Sequence, residues 1–296
     1  MILLSPKLLN KQEQKHLRRL QVRVNAISQG SARYKVAEAL WRNRKNKEDN
    51  KRIWEAIERK LQQGSPNPGI CQYCGFDRNA ATEHFFPKKN FPEYTFQWNN
   101  YLRICHRCNS VYKGDKFAVF NPKGSATVYK LPVTRGTYPV PPTKDAVLIN
   151  PRIDNPQDFL MLDISTGIFL PVPGSNSRDQ ARANYTIELL HLNIDDDLLR
   201  YRHKTLGAYL DKLDLYIKVK QASNFSSLLS TLSFSYQAIV VQTTPFTQEQ
   251  QRLLKKIKKD IQDDFFPVTW REIIAQRHLI PRINDLFIAA PEAISW

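Results

Sequence analysis

The stretch from Cys71 to Lys116 reads CQYCGFDRNAATEHFFPKKNFPEYTFQWNNYLRICHRCNSVYKGDK, and it decides the fold of this chain. It contains all the cysteines of the protein, as two Cys-x-x-Cys pairs formed by Cys71, Cys74, Cys105 and Cys108. Each pair can offer two thiolates from one tight turn, and two such turns supply the four sulfurs of a tetrahedral structural Zn²⁺. The spacing therefore predicts a four-cysteine zinc site, and two disulfides or a thioredoxin-like redox pair are the alternatives.

Between the two cysteine pairs lie side chains suited to phosphodiester hydrolysis. Glu83 and His84 put a hard oxygen ligand beside an imidazole, and Asn100 and Asn109 follow at wider spacing. Hydrolysis needs a base that takes a proton from water and a hard divalent cation that stabilises charge on the phosphate. The stretch supplies both kinds of group, whereas a lone Glu-His pair is typical of a solvated surface.

At these residues the chain resembles the HNH nucleases, also called the His-Me finger or ββα-metal family. The resemblance implies that His84 is the general base and that Glu83 and Asn109 bind a catalytic divalent cation such as Mg²⁺. It also implies that Asn100 fixes the loop and orients His84, although the neighbouring Asn99 is a second candidate for this central asparagine. Glu83 stands where the family more often has aspartate, and its longer side chain can shift the metal or bind it through water.

A closer resemblance rests on residues 83–88, 94–100 and 105–117, with weaker similarity at 150–156 and 186–193. In these segments the chain resembles the HNH proteins of bacterial anti-phage systems of the Septu type and of related retron systems. The resemblance implies an effector nuclease that works with an ABC-type ATPase and cleaves nucleic acid, with DNA favoured over RNA.

The positive charge of the chain is large and unevenly distributed. The formal net charge is +16, and residues 1–70 contain sixteen of the 44 basic groups but six of the 28 acidic ones. Such a bias is typical of a protein that meets a polyanion, because lysine and arginine displace counterions from a phosphate backbone. A basic face that only aids solubility is the alternative.

We expect the nucleic-acid contacts to come from two groups of basic residues, one before the cysteine stretch and one inside it. These residues are Arg42, Arg44, Lys45 and Lys47, followed by Lys88, Lys89, Arg103, Arg107, Lys113 and Lys116. Around the candidate site they would hold phosphates without reading base sequence.

The sequence carries no sign of a membrane segment. No run approaches the roughly 18 apolar residues that a membrane helix requires, and the apolar opening of the chain is too short for a signal peptide. We therefore expect a cytoplasmic protein without a membrane partner.

Periodicity predicts an α+β fold in which a ββα-metal finger with its four-cysteine zinc site is embedded in a mainly α-helical protein. We expect a basic helical region at 1–66, the nuclease module with its zinc knuckles at 67–125, a short β region at 126–174 and a helical region at 175–296. The apolar stripes of the N-terminal helices, tryptophans included, indicate core packing. The acidic triplet Asp195 to Asp197 favours a helix cap over a metal site, and Thr247 to Gln250 has the form of a capping box.

The sequence thus predicts a metal-dependent HNH endonuclease. A nucleic-acid-binding or assembly module with an inactive finger is the alternative, since it would keep the cysteines and the basic face. It would not need Glu83, His84, Asn100 and Asn109 together, which favours the enzyme.

Overall fold

The computed structural model describes residues 1, 3–5, 7–28, 30–65, 69–76, 80–134, 136–263 and 267–296. It confirms a mainly helical protein with small sheets and one cluster of four cysteines. Its α-helices are α1 (Lys11–Asn25), α2 (Ser31–Arg42), α3 (Glu48–Gln63), α4 (Ser177–Leu189), α5 (Asp196–Gln221), α6 (Phe225–Thr231), α7 (Phe234–Gln237), α8 (Phe246–Gln262), α9 (Pro267–Gln276) and α10 (Pro281–Ala289). Its strands are β1 (Ala80–His84), β2 (Tyr101–Cys105), β3 (Ala118–Phe120), β4 (Val128–Lys130), β5 (Leu160–Leu162) and β6 (Phe169–Pro171).

The chain divides into two compact units, residues 1–161 with 169–198, and residues 162–168 with 199–296. The four regions expected from the sequence stay a prediction, and the expected boundary between residues 66 and 67 lies outside the described residues. No helix in the described part of the chain combines the length and the apolar character needed to cross a bilayer.

In the first unit, α1 to α3 form a small helical core. Helix α1 begins with a capping box in which Asn10 and Glu13 bond each other's backbone N–H groups. The apolar faces of the three helices bury Trp41 and Trp54, which pack with Phe96 and Tyr101 of the cysteine stretch. The predicted core role of the tryptophans is confirmed, and the same packing joins the basic helices to the candidate site.

The candidate site itself is built on an antiparallel pair followed by a short helix. Strands β1 and β2 pair so that His84 lies opposite Tyr101 and Glu83 opposite Leu102. Residues Arg107–Lys113 then form a π-helix, which we call the finger helix. Strands β3 and β4 form a second antiparallel pair, and β5 and β6 form a third small sheet.

The second unit is helical and has its own core. Leu213, Ile257, Trp270 and Phe287 are among its buried apolar residues. Helix α8 begins at Phe246 after Pro245 and has no side-chain cap, so the predicted capping box at Thr247 is wrong. Glu249 instead accepts the N–H of Val241 and binds Arg252.

The helix cap predicted at the acidic triplet is confirmed. The Asp195 carboxylate accepts the N–H of Leu198 in the first turn of α5, at 3.2 Å. A carboxylate there satisfies one of the free amides at the positive end of the helix.

Candidate functional site

The four cysteines form one buried cluster with the dimensions of a zinc site. All are free thiols, and their sulfur atoms lie within 4.8 Å of one another. The Sγ atoms of Cys74 and Cys105 are 3.8 Å apart, which matches the ~3.8 Å edge of a regular tetrahedron with Zn–S bonds of ~2.3 Å. Burial raises the pKa of the Cys71 thiol, so a cation is needed to hold its thiolate. The cluster fits the predicted structural zinc.

His84 ends β1 and has a fixed orientation. Its Nε2 lies 2.9 Å from the carbonyl oxygen of Thr95, which also accepts the hydroxyl of Tyr101. Because a carbonyl can only accept, Nε2 carries the proton in the neutral ring and Nδ1 carries the lone pair. Nδ1 is buried and has no hydrogen-bond partner among the described residues. The ring is therefore oriented so that Nδ1, with its lone pair, can accept a proton.

Asn100 ties together the two ends of the loop that follows His84. Its Oδ1 accepts the N–H of Phe86 at 2.7 Å, and its Nδ2 donates to the carbonyl groups of Phe86 and Tyr94. The neighbouring Asn99 instead offers its Oδ1 to Arg152. Of the two asparagines, Asn100 has the contacts of a loop-fixing residue, and the loop it closes presents the Thr95 carbonyl to His84.

Glu83 points to the other face of β1, toward the finger helix. Its Oε1 lies 3.2 Å from the Nζ of Lys113, which also donates to the backbone carbonyl of His84. The sequence predicted that Lys113 contacts a phosphate. Lys113 is fully buried, so its ammonium is not accessible to one. Asn109 lies on the same helix, one turn before Lys113, and is partly exposed. Glu83 and Asn109 thus belong to two different elements, and the sequence did not predict that a lysine of the second element would pair with Glu83.

The ring of His84 is covered by a residue from outside the cysteine stretch. Trp41 of α2 packs edge-on against it with ring centroids 4.3 Å apart, and His84 is 1% exposed. One turn earlier on α2, the Glu38 carboxylate lies 3.6 Å from the Nζ of Lys88. Burial and the positive charge of Lys88 lower the pKa of His84 well below its usual range. The imidazole is therefore neutral at neutral pH and is buried between Trp41 of α2 and Tyr101 of β2.

Comparison with known proteins finds a relative that is similar to this chain over most of its length. The Septu protein PtuB of Bacillus mycoides (strain KBAB4) is 28% identical over 232 residues, which cover 64% of this chain and 75% of that protein. No family model matches the chain. The resemblance seen in the sequence to Septu-type proteins is thus supported by a relative of that name.

The predicted phosphate-binding residues of the cysteine stretch have different surroundings. Lys116 is exposed, whereas Arg103 is half-buried. Lys89 donates to the carbonyl of Thr134. Arg107 forms ion pairs at 3.0 Å with Asp195 and Asp197. The structure therefore leaves Lys116 exposed and ties Arg107 to acidic residues of the same unit.

The N-terminal basic run is also divided by the structure. Arg42 lies 3.7 Å from Glu38, and Lys45 lies 2.8 Å from Glu58. The guanidinium of Arg44 stacks on Trp41 at 4.0 Å, and Lys47 is exposed. Arg42 is exposed despite its ion pair, so Arg44 and Lys45 are the half-buried members of the run.

Two residues of the site were missed by sequence reasoning. Trp41 was placed in the core without a contact to His84, and no local signal connects positions so far apart in the chain. Arg152 lies within the weakly similar segment 150–156 and was not predicted as a site residue. It is buried and donates to the carbonyl of Tyr101 in β2. An arginine inside an otherwise apolar and turn-rich segment was the signal that could have marked it as a buried anchor.

Proposed function

We propose that this chain is a metal-dependent endonuclease of the HNH type. The observation that carries the proposal is the geometry of His84, whose Nε2 is held by the Thr95 carbonyl while Nδ1 keeps its lone pair. The loop that supplies this carbonyl is closed by Asn100. A neutral imidazole with one nitrogen oriented and the other free is what a general base for water requires.

In the proposed reaction His84 Nδ1 takes a proton from water, and the water oxygen attacks the phosphorus of a phosphodiester. The bond from phosphorus to the leaving oxygen breaks, and that oxygen takes up a proton from solvent. The hydrogen bond from Nε2 to Thr95 stabilises the imidazolium that forms, because the proton on Nε2 becomes more acidic and its donation stronger. Asn100 acts as a positioning residue, since its contacts are with the loop backbone.

The residues that would hold the catalytic cation are Glu83 and Asn109. Their carboxylate and amide oxygens are the donor types that Mg²⁺ prefers. Oε1 of Glu83 contacts Lys113, and Oε2 has no hydrogen bond to any residue that the structure describes, so one carboxylate oxygen is available. Bound there, a divalent cation supplies stabilisation of charge on the phosphate and the leaving oxygen.

In this proposal, the site with Trp41 packed on His84 is the resting, inactive state of the nuclease. Water cannot meet Nδ1 while the indole covers the ring, so cleavage requires α2 to move away from His84. We expect Trp41→Leu to raise both the cleavage rate and the reactivity of His84 toward diethylpyrocarbonate, measured by mass spectrometry.

The matched control for this prediction is Trp54→Leu. Trp54 is fully buried in the same cluster and contacts Trp41 rather than His84. Both variants should lose stability, on the order of a few kcal/mol, because a large core side chain is shortened. Equal reactivity of His84 in the two variants would show that Trp41 is a core residue and not a cover.

We further propose a role in bacterial anti-phage defence together with an ABC-type ATPase. The support is the similarity to a Septu protein PtuB. A partner that moves α2 would convert the covered site into an active one. Copurification of the chain with an ATPase encoded beside it tests the association directly.

The experiment that tests the nuclease proposal is cleavage of plasmid DNA and of RNA by zinc-loaded protein, alone and with the candidate ATPase. We expect cleavage with Mg²⁺ and none when Mg²⁺ is omitted, with DNA the better substrate. Omission is preferable to chelation because a chelator also removes the structural zinc.

A non-catalytic, zinc-dependent binding or assembly subunit is the second candidate function. It is favoured by the burial of His84 beneath Trp41 and by the pairing of Glu83 with Lys113. If neither the wild type nor Trp41→Leu cleaves nucleic acid in the presence of both Mg²⁺ and the partner, this second function replaces the first.

A further inference from the structure

The first three helices enclose an open, basic groove outside the candidate catalytic site. Its volume is about 1020 Å³, and α1 forms one wall while the end of α2 and the start of α3 form the other. Five basic side chains line it, namely Lys15, Arg19, Arg23, Arg44 and Lys47. Asp49 is the single acidic side chain among its described lining residues. The groove therefore has a strong excess of positive charge.

Two of these five cations, Arg44 and Lys47, belong to the ten that the sequence predicted to contact nucleic acid, and the three on α1 do not. In the part of the chain that the structure describes, none of the five forms an ion pair, whereas Arg42, Lys45, Lys88, Arg107 and Lys113 all do. His16 also lines the groove and is 4% exposed; its Nδ1 contacts Arg19, and its Nε2 has no partner among the described residues. The groove thus offers five cations that form no ion pair with any described carboxylate.

The arrangement of the charges fits an extended polyanion better than a small anion. Lys15, Arg19 and Arg23 follow one another at four-residue intervals along α1, which places them ~6 Å apart in rise. That interval is comparable with the separation of successive phosphates along a nucleic-acid strand. Asn43, Asn46 and Asn50 line the facing wall with amides that can donate to phosphate or sugar oxygens.

We infer that this groove binds the sugar-phosphate backbone of a nucleic acid. For its substrate class the inference rests on the proposed nuclease function. The groove is also connected to the candidate base, because Arg44 lines the groove and stacks on Trp41, which in turn covers His84. A backbone phosphate that binds Arg44 would compete with Trp41 for its guanidinium.

The test is the salt dependence of nucleic-acid binding by full-length, zinc-loaded protein. The background variant is His84→Ala without Mg²⁺, so that no cleavage occurs, and the probes are fluorescein-labelled single-stranded and duplex DNA read by anisotropy. The groove variant adds Lys15→Gln, Arg19→Gln and Arg23→Gln, whose side chains are exposed and whose replacement keeps good helix formers. The matched control adds Lys7→Gln, Lys11→Gln and Arg18→Gln, which are exposed residues outside the groove with the same change in charge.

Three lost phosphate contacts should reduce the slope of log affinity against log salt by about 2 to 3, at ~0.7 to ~0.9 per contact. The control should change the slope by clearly less. Equal slopes for the two triple variants would overturn the inference. A groove variant that loses binding to an acidic polypeptide, poly-glutamate, but keeps its DNA binding would also overturn it. If the groove variant fails to bind but wild-type protein never cleaves, the groove stands and the nuclease proposal fails.

Discussion

Replacing His84 with alanine is expected to slow nucleic-acid cleavage by about a hundredfold to ten-thousandfold, the usual contribution of a general base. The reason is specific to the geometry. Nε2 of His84 is held by the Thr95 carbonyl, so the catalytic contribution depends on Nδ1 alone. The variant should be measured in single-turnover cleavage, because steady-state rates can report product release instead of chemistry.

Zinc content and nucleic-acid affinity should survive the substitution, since the cysteine cluster and the basic groove contain no atom of His84. His106→Ala is the matched control, because His106 is an exposed histidine of the same cysteine stretch and should cleave at the wild-type rate. Wild-type cleavage by His84→Ala, under conditions where the control is active, would refute the HNH mechanism whatever the cysteines bind.

The pH dependence of the wild-type rate follows from the same residue. A base must be neutral to accept a proton, so the rate should fall as the pH falls through the pKa of His84. Burial and the charge of Lys88 lower that pKa, so the fall should come below the ordinary histidine value of ~6.5. Uncovering the ring by Trp41→Leu reduces its burial and should move the fall back toward that value.

The cysteine frame was accessible to sequence reasoning because it depends on short-range chemistry, whereas the role of Asn100 came from the family resemblance and stays a prediction. Zinc imposes four ligands at fixed distances, and a Cys-x-x-Cys turn brings two of them together. The cap at Asp195 is local in the same sense. The capping box at Thr247 failed because α8 begins one residue earlier, at Phe246, so Thr247 lies within the first turn and not at the N-cap.

What the sequence could not predict depends on contacts between distant segments. The tryptophans of the N-terminal helices were predicted to pack in the core, but no periodicity specifies that Trp41 lies on His84. The basic run 42–47 was identified by charge, yet its availability depends on Glu38 and Glu58, and that of Arg107 depends on Asp195. The groove along α1 likewise requires the placement of three helices, so the sequence did not indicate that Lys15, Arg19 and Arg23 line the same groove as Arg44 and Lys47.

The second large effect concerns the zinc site, where Cys71→Ser should remove the metal and strongly destabilise the first unit. A serine hydroxyl is a poor zinc ligand, and the three remaining sulfurs would leave an incomplete tetrahedron. The free energy of zinc binding adds directly to folding in structural sites and reaches about 10 to 16 kcal/mol in zinc-finger peptides. Elemental analysis should fall from about one zinc per chain toward none, and thermal unfolding should shift to a clearly lower temperature.

Loss of zinc by substitution and by chelation should have the same effect on the unfolding temperature. A strong chelator should lower the unfolding temperature of wild-type protein to that of Cys71→Ser, and it should leave Cys71→Ser unchanged, because both treatments remove the same interaction and their effects cannot add. Asn109→Ala is the control, since Asn109 follows Cys108 directly but offers no sulfur, and it should keep its zinc. A Cys71→Ser protein that retains one zinc and the wild-type unfolding temperature would rule out a structural four-cysteine site, because the β1–β2 pair and the finger helix would then be held together by their own packing.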